Sequence, residues 1–367
     1  MFQLTNDQRK CFGLAPVEDC WTLTAIKASP YDNYTTYVYI DGTVIRKCWI
    51  IGSAHFQEMD LTLPLTDDLK YILPKTQKGK PALLSSSNLL KLGNPDMLFF
   101  YGNRSIILGS PRIRKNYFTT FHDPIPLDTM DDFIRWVEQW CSETTEADIM
   151  DIARFSAQER KHVKFREGDV FRFKISRRLY GYGRIVLDYD KMRKKKEPFW
   201  DILMTKPLVC SIYHVLTEDP HVTVEELAGL KSLPSHIVTD WDFFYGANEI
   251  IGHISLTGQP DYPIMYGGSL EPGDPAIYLQ CGKLFRKREG IPPLARQFVN
   301  NGVAGVVRAH RSVLEQCIRE DSNDPYWNCG LWGVRHDLRH PENRIWIPGI
   351  CQQFDIAPTD LIPDFTP

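Results

Sequence analysis

The sequence predicts an α+β protein that is rich in β-structure and folds as two domains. Many of its apolar residues occur in short runs of period two, bounded by glycine, proline or aspartate, which is typical of antiparallel strands. Helical spacing is confined to a few segments. With 367 residues, of which 43% are hydrophobic, the chain can bury two substantial cores. We therefore expect each domain to be a mostly antiparallel sheet or a small barrel with a few packed helices.

The first strands are predicted at residues 22–51, which have the pattern of a β-meander. The alternating segment that ends at Ile40 leads into Asp41 and Gly42, and a second β-branched run follows at once. Asp-Gly between two such runs favours a tight hairpin, because both turn positions take positive φ. The amino-terminal domain is therefore predicted to be mostly strand, and its residues suggest no function.

Helices are predicted where the apolar period changes. Asp128 is the predicted N-cap of the first helix, and its apolar stripe consists of Phe133, Trp136, Val137 and Trp140. A second helix is predicted to begin near Thr144 or Thr145, with Asp148 in its first turn. We expect the two helices to pack across the sheet of the first domain.

A polar stretch, SAQERKH at residues 156–162, interrupts the apolar rhythm after these helices. Domain boundaries commonly fall in such linkers. We expect a first domain at residues 1–158, a meander closed by two helices, and a second at residues 159–367. Residues 331–350 mix aromatic residues, arginines and prolines without a clear period, so they are predicted only as an irregular extension.

The most informative stretch is EGDVFRFKISRRLYGYGRIVLDY, from Glu167 to Tyr189. It contains two strand patterns, and the second begins with an alternation of tyrosine and glycine. Glycine within a strand marks a bulge, a bend or a close approach of other atoms, and tyrosine offers an apolar ring with a polar tip. The stretch therefore predicts a shaped β-surface.

The segments GDVFRFKI and YGYGRIV within this stretch resemble the immunity protein 26 family of bacterial polymorphic-toxin systems. The similarity continues through residues 199–202, 208–214 and 249–254, and we place it at roughly residues 163–290. The resemblance implies a cytoplasmic protein that neutralises a toxin by binding it. It brings no catalytic motif, so no catalytic residue is transferred to this chain.

Two groups of residues are candidates for binding such a partner. The first is Tyr180, Tyr182 and Arg184, and the second is Asp240, Trp241 and Asp242. Aromatic and arginine side chains are the usual anchors of protein interfaces, and the two aspartates would suit a basic toxin. The alternative is that the rings are buried cross-strand pairs that close the sheet.

A metal-dependent hydrolase of phosphotriester type is the first alternative function, and it would need clustered histidines and carboxylates. His336 and His340 are spaced four apart, but a proline follows at once and the ten histidines include no H-x-H. A cysteine nucleophile stays open at Cys210 or Cys281. We predict a non-catalytic protein with no metal site and no cofactor.

A nucleic-acid-associated factor is the second alternative, and it rests on the basic run KMRKKK at residues 191–196. The run is short and belongs to a chain of net charge −3, which disfavours a polyanion partner.

The nine cysteines are scattered without a C-x-x-C pair, and no apolar segment has the length of a signal peptide or membrane span. We therefore expect a cytoplasmic protein with no membrane contact, and the sequence leaves its oligomeric state open.

Overall fold

The computed structural model describes residues 2–26, 33–73, 80–121, 125–189, 206–258, 260–268, 273–295, 297 and 311–365. The chain divides into two compact units, Met1–His162 and Val163–Pro367. Open antiparallel sheets dominate both units, with helices packed on them. The predicted α+β fold class is confirmed, and of its two forms the described sheets take the open one rather than the small barrel.

Unit 1 is built on a seven-stranded sheet in the order β1-β2-β3-β4-β7-β8-β9, and β5 and β6 form a separate pair. The strands of unit 1 are β1 (Thr22–Ile26), β2 (Tyr34–Asp41), β3 (Val44–Gly52), β4 (His55–Pro64), β5 (Tyr71–Ile72), β6 (Ala82–Leu83), β7 (Leu98–Gly102), β8 (Ser105–Ser110) and β9 (Lys115–Thr119). The predicted hairpin between β2 and β3 is confirmed, but its two turn residues are Gly42 and Thr43 rather than Asp41 and Gly42. Asp41 ends β2 and pairs with Val44, and Gly42 takes the positive φ of the turn.

The helices of unit 1 are α1 (Asn6–Cys11), α2 (Ser86–Leu92), α3 (Met130–Ser142) and α4 (Glu146–Ser156). Helices α1, α3 and α4 pack on one face of the sheet and form an apolar cluster with its residues. Helix α2 packs on the opposite face, in a second apolar cluster. The predicted N-cap Asp128 is wrong by one residue. Thr129 caps α3 through a reciprocal pair of bonds with Asp132, which Asp128 lies too early to make. The predicted start of α4 is confirmed, with Thr145 as its cap.

A buried ion network fixes α1 to this sheet. Nε of Arg9 lies 2.7 Å from Oε1 of Glu58, and Nζ of Lys47 lies 3.3 Å from the same oxygen. Lys47 also pairs with Asp60, whose carboxylate accepts a hydrogen bond from the backbone of Ala15. Charges that lack exposure need such partners, so the network specifies where the amino-terminal segment docks.

Unit 2 contains a five-stranded sheet in the order β13-β12-β11-β10-β14 and a three-stranded sheet in the order β15-β16-β17. Its strands are β10 (Asp169–Lys174), β11 (Tyr180–Asp188), β12 (Pro207–Thr217), β13 (His236–Thr239), β14 (Glu249–His253), β15 (Ile264–Gly268), β16 (Ile277–Cys281) and β17 (Leu284–Arg288). The two strands predicted in the Glu167 to Tyr189 stretch are thus confirmed as the hairpin β10-β11.

The helices of unit 2 are α5 (Val224–Leu227), α6 (Trp241–Phe244), α7 (Arg311–Glu320), α8 (Asp324–Trp327), α9 (Trp332–Arg335) and α10 (Ile347–Phe354), with 3-10 turns η1 (Pro341–Trp346) and η2 (Pro358–Asp360). One face of the five-stranded sheet packs against Leu314, Cys317, Tyr326 and Val334 of α7, α8 and α9. The other face packs against Leu227 of α5. The carboxyl-terminal helices therefore belong to the core of unit 2.

Arg339 ties the carboxyl-terminal segment to the rest of unit 2. Its guanidinium lies 2.8 Å from a carboxylate oxygen of Asp337 and 2.7 Å from one of Asp261, and it donates to the carbonyl of Ser235 at 2.5 Å. Burial opposes the charge of Arg339, but the two carboxylates outweigh it and raise its pKa. The stretch predicted as an irregular extension thus contains the ionic centre of the unit.

Candidate partner-binding site

The glycines of the tyrosine-glycine alternation make room for phenylalanine rings. Phe171 is paired across the hairpin with Gly183, and Phe173 with Gly181. A Cβ atom at either glycine would lie 2.6 Å from the end of the facing ring, closer than atoms can approach. The alternation therefore sends two phenylalanines to the face covered by α7, α8 and α9, and the tyrosines to the opposite face.

Tyr182 lies within this second face and has no exposed surface. Its hydroxyl lies 2.9 Å from Oγ1 of Thr217 and donates to the carbonyl of Asp219 at 3.0 Å. The ring packs with Val170 and Leu227. The structure thus places Tyr182 where the alternative interpretation put it, as a cross-strand residue that also holds the loop after β12.

Tyr180 lies two residues earlier on the same face and is half-buried. The guanidinium carbon of Arg172 lies 5.3 Å from its ring centroid, and Nζ of Lys174 lies 5.8 Å from it. Arg172 also lies 2.7 Å from Oε2 of Glu249 on β14 and donates to the carbonyl of Pro220. These contacts place a cation–π cluster at one end of the sheet.

Arg184, the third residue of the first group, is half-buried and pairs across the sheet with Ser211 of β12. Burial raises the pKa of the Tyr213 hydroxyl, and the positive charge of Arg184 opposes that rise. Arg184 therefore lies within electrostatic reach of the buried tyrosine face.

The second group lies on and before the short helix α6. Phe243 points inward and meets Phe171 edge to face at 4.7 Å between centroids. Trp241 is 46% exposed, and its ring rests edge to face on Tyr245, also at 4.7 Å. Asp240 and the following Asp242 are half-buried beside it. One aromatic residue thus anchors the helix and another displays its ring to solvent.

The structure does not bring the two groups into one cluster. Tyr180 and Tyr182 belong to the face that packs against α5. Helix α6 is anchored through Phe243 in the cluster on the opposite face. The sequence therefore named two separate surfaces of unit 2, and their role in binding stays a prediction.

A contact that was not predicted from the sequence joins the ends of β10 and β14. Nδ1 of His253 lies 2.9 Å from Oδ1 of Asp169, and the backbone of Arg166 donates to the other oxygen at 2.9 Å. Gly168 between them takes a φ of +91°, and a Cβ atom there would lie 2.6 Å from the His253 ring. The adjacent Gly168 and Asp169 are visible in the sequence as a Gly-Asp pair. Their contact with His253 could not be predicted, because that histidine lies far along the chain.

The histidines considered as metal ligands make local contacts instead. Nδ1 of His336 lies 2.9 Å from the carbonyl of Trp332, whose ring stacks on the imidazole. His340 is buried, and its Nδ1 accepts a hydrogen bond from the backbone of Glu342. Within the described ranges, no group of three His, Cys, Asp or Glu side chains is arranged to hold a metal ion.

The two cysteines left open as nucleophiles lie in the core. Burial raises the pKa of the Cys281 thiol to about 12, and burial also raises the pKa of Cys210 far above its usual range. A thiol is nucleophilic as its thiolate, so burial disfavours the nucleophilic form of both cysteines. The basic run at residues 191–196 and the family-like segment at residues 199–202 lie outside the described residues.

Fold and site together define a sheet-dominated α+β protein whose second unit displays aromatic and charged side chains. A comparison with protein-family models matches residues 166–270 to the family described as Immunity protein 26. The resemblance drawn from GDVFRFKI and YGYGRIV is thereby confirmed for that segment, which runs from just before β10 to just beyond β15. Comparisons with curated proteins and with solved structures gave no match. Among the described helices, none combines the length and the apolar character needed to cross a membrane.

Proposed function

We propose that this chain is an immunity-type protein that binds a cognate bacterial toxin in the cytoplasm and neutralises it without covalent chemistry. The observation that carries the proposal is the match of residues 166–270 to Immunity protein 26. The matched segment includes the hairpin β10-β11 and helix α6, and therefore every residue that the sequence named as a partner contact.

Trp241 is the best anchor for a partner on this unit. Tryptophan contributes strongly at protein interfaces because it buries a large apolar area at a small cost in side-chain entropy. The contact with Tyr245 holds the ring before any partner arrives, while 46% of the residue stays exposed. Asp240 and Asp242 flank it, so the complementary surface on the toxin would be basic.

The cation–π cluster around Tyr180 is a second candidate contact on the same unit. Arg172 and Lys174 hold the ring of this half-buried residue in place. Tyr182 supports that surface from below, because its hydroxyl fixes the adjoining loop. In this proposal Tyr182 shapes the binding surface and Tyr180 contacts the partner.

The described residues supply no observation that favours the hydrolase or the nucleic-acid-associated factor. The hydrolase would need the histidines and cysteines that make local or buried contacts here. The nucleic-acid factor would need the basic run at residues 191–196, which lies outside those residues. Both stay as outcomes that direct assays for turnover and for polyanion binding would reveal.

The test is a growth assay with the product of a toxin-like reading frame beside the gene for this chain. Co-expression of the chain is expected to restore growth. Trp241→Ala should lose protection, because removing a central anchor costs about 2 kcal/mol, or roughly 30-fold in Kd. Trp332→Ala is the matched control, since Trp332 is 39% exposed on α9 and lies outside the matched segment.

Protection that survives Trp241→Ala would remove that residue from the binding surface. The proposal as a whole would be overturned if the wild-type chain neither restored growth nor co-eluted with the purified toxin. Turnover of the toxin or of a phosphotriester by the wild-type chain would overturn the non-catalytic mechanism even where growth is restored.

A further inference from the structure

The open sheets end in strands whose outer backbone groups could pair with another chain, and most of these edges are protected. Strand β14 carries the charged or polar residues Glu249 and His253 at its ends, and β17 carries exposed Arg286 and Lys287. Charged side chains disfavour edge-to-edge association, because a second strand would have to desolvate them. The charged or polar side chains of both strands therefore disfavour pairing with another chain.

Three further edge strands make contacts with, or are partly buried by, other parts of their own unit. Strand β9 is tied to α4 and the residues after it, through Tyr117 with Asp151 and Lys115 with Gln158. Strand β13 begins with two buried residues. The first residue of β15 makes backbone hydrogen bonds with residues of the carboxyl-terminal segment. Side-chain contacts, burial or hydrogen bonds at the strand end therefore restrict access to these three edges.

Strand β1 has neither charged side chains nor comparable contacts with the other described residues of its unit. Its sequence, TLTAI, contains no charged residue and no proline, and only its last residue is buried. It pairs with β2 on one side. On its other side, the described residues offer its backbone no hydrogen-bond partner. A strand exposed on both faces and along one edge is a template for strand addition.

We propose that β1 pairs antiparallel with β1 of a second copy of this chain, across a two-fold axis through Thr24. In that register Leu23 lies opposite Ala25, so a large side chain meets a small one on one face. Thr24 meets Thr24 on the other face, where the two hydroxyls are placed to hydrogen-bond. A two-fold contact requires such self-complementarity, and this strand provides it without opposing like charges.

The pairing joins two seven-stranded sheets into one continuous antiparallel sheet. A five-residue edge buries little area, so the contact is expected to be weak, with a dissociation constant in the micromolar range or above. This association uses unit 1, and it does not depend on the function proposed for unit 2.

The test is sedimentation velocity of the full chain over a series of concentrations, from low to several hundred micromolar. The wild-type chain should shift from monomer toward dimer. Thr24→Lys should raise the dimer dissociation constant about tenfold or more, because it puts two lysines face to face on the axis. Thr24 is exposed, so the monomer should fold normally.

The matched control is Thr62→Lys, the same substitution at an exposed position of strand β4, which is central in the same sheet. It should dimerise as the wild type does. A wild-type chain that stays monomeric throughout, or a dimer that Thr24→Lys leaves intact, would overturn the proposal. So would a monomer in which Thr24→Lys abolishes toxin binding, because the edge would then receive a strand of the toxin.

Discussion

Replacing Arg339 by methionine should strongly destabilise unit 2. The substitution leaves the carboxylate of Asp337, whose side chain is only 5% exposed, without its cation. Breaking a buried ion pair from one side costs about 3–5 kcal/mol. The Asp261 pair adds little, since that carboxylate is 60% exposed, and the lost bond to Ser235 is coupled to the same network. The expected loss is about 3–5 kcal/mol, from a total of about 5–15 for a typical domain.

Urea unfolding combined with hydrogen–deuterium exchange of separate peptides measures this loss, because peptides from unit 1 serve as an internal reference. Arg335→Met is the matched control, since Arg335 is exposed on the preceding helix, and it should change the free energy of unfolding by less than about 0.5 kcal/mol. The double variant Asp337→Asn with Arg339→Met should be less destabilised than the two single effects added together. A single variant within about 1 kcal/mol of the control would refute the reasoning that Arg339 neutralises a buried charge.

Three further outcomes test the packing of unit 2. Gly183→Ala should destabilise it by about 1–3 kcal/mol, because the new methyl group would clash with the facing phenylalanine ring. Gly229→Ala is the control and should be neutral, because no atom lies within 4 Å of its new methyl group. The urea midpoints of the two variants measure the difference. Burial lowers the pKa of His236 from 6.5 to about 4, so the unfolded chain takes up a proton first as pH falls. Unit 2 should then lose up to about 3 kcal/mol between those two pH values, and His236→Phe should flatten that dependence in pH-resolved urea titrations. Leu314→Ala should lower the free energy of unfolding by about 2–5 kcal/mol, because Leu314 is buried. Arg319→Ala should leave it almost unchanged, because Arg319 is exposed on the same helix. Equal urea midpoints for the two variants would contradict the placement of α7 in the core.

Local structure was predictable where neighbouring residues decide it. The hairpin between β2 and β3 and the start of α4 at Thr145 follow from turn and capping chemistry that acts over a few residues, although the turn lies one residue later than predicted. The N-cap of α3 was misassigned because Asp128 and Thr129 are both good caps, and only the three-residue spacing to Asp132 distinguishes them. The order of strands in the sheets was not predictable, since β4 and β7 pair across two intervening strands and a helix.

The candidate site was predictable in residue type but not in exposure. In a strand, the alternation in YGYG puts tyrosines and glycines on opposite faces, but the sequence does not show that the loop after β12 and helix α5 cover Tyr182. The exposed ring of Trp241 and the buried ring of Phe243 lie two positions apart in one short helix, and their local sequence is equally aromatic. The Arg339 network was hidden because, apart from the nearby Asp337, its partners Ser235 and Asp261 lie in two distant segments of the chain.

Titration calorimetry of this chain with the purified toxin encoded beside its gene tests the central claim most directly. The account predicts one saturable association, weakened roughly 30-fold in Trp241→Ala and unchanged in Trp332→Ala. An absence of heat and of co-elution at concentrations where both proteins are folded would contradict it.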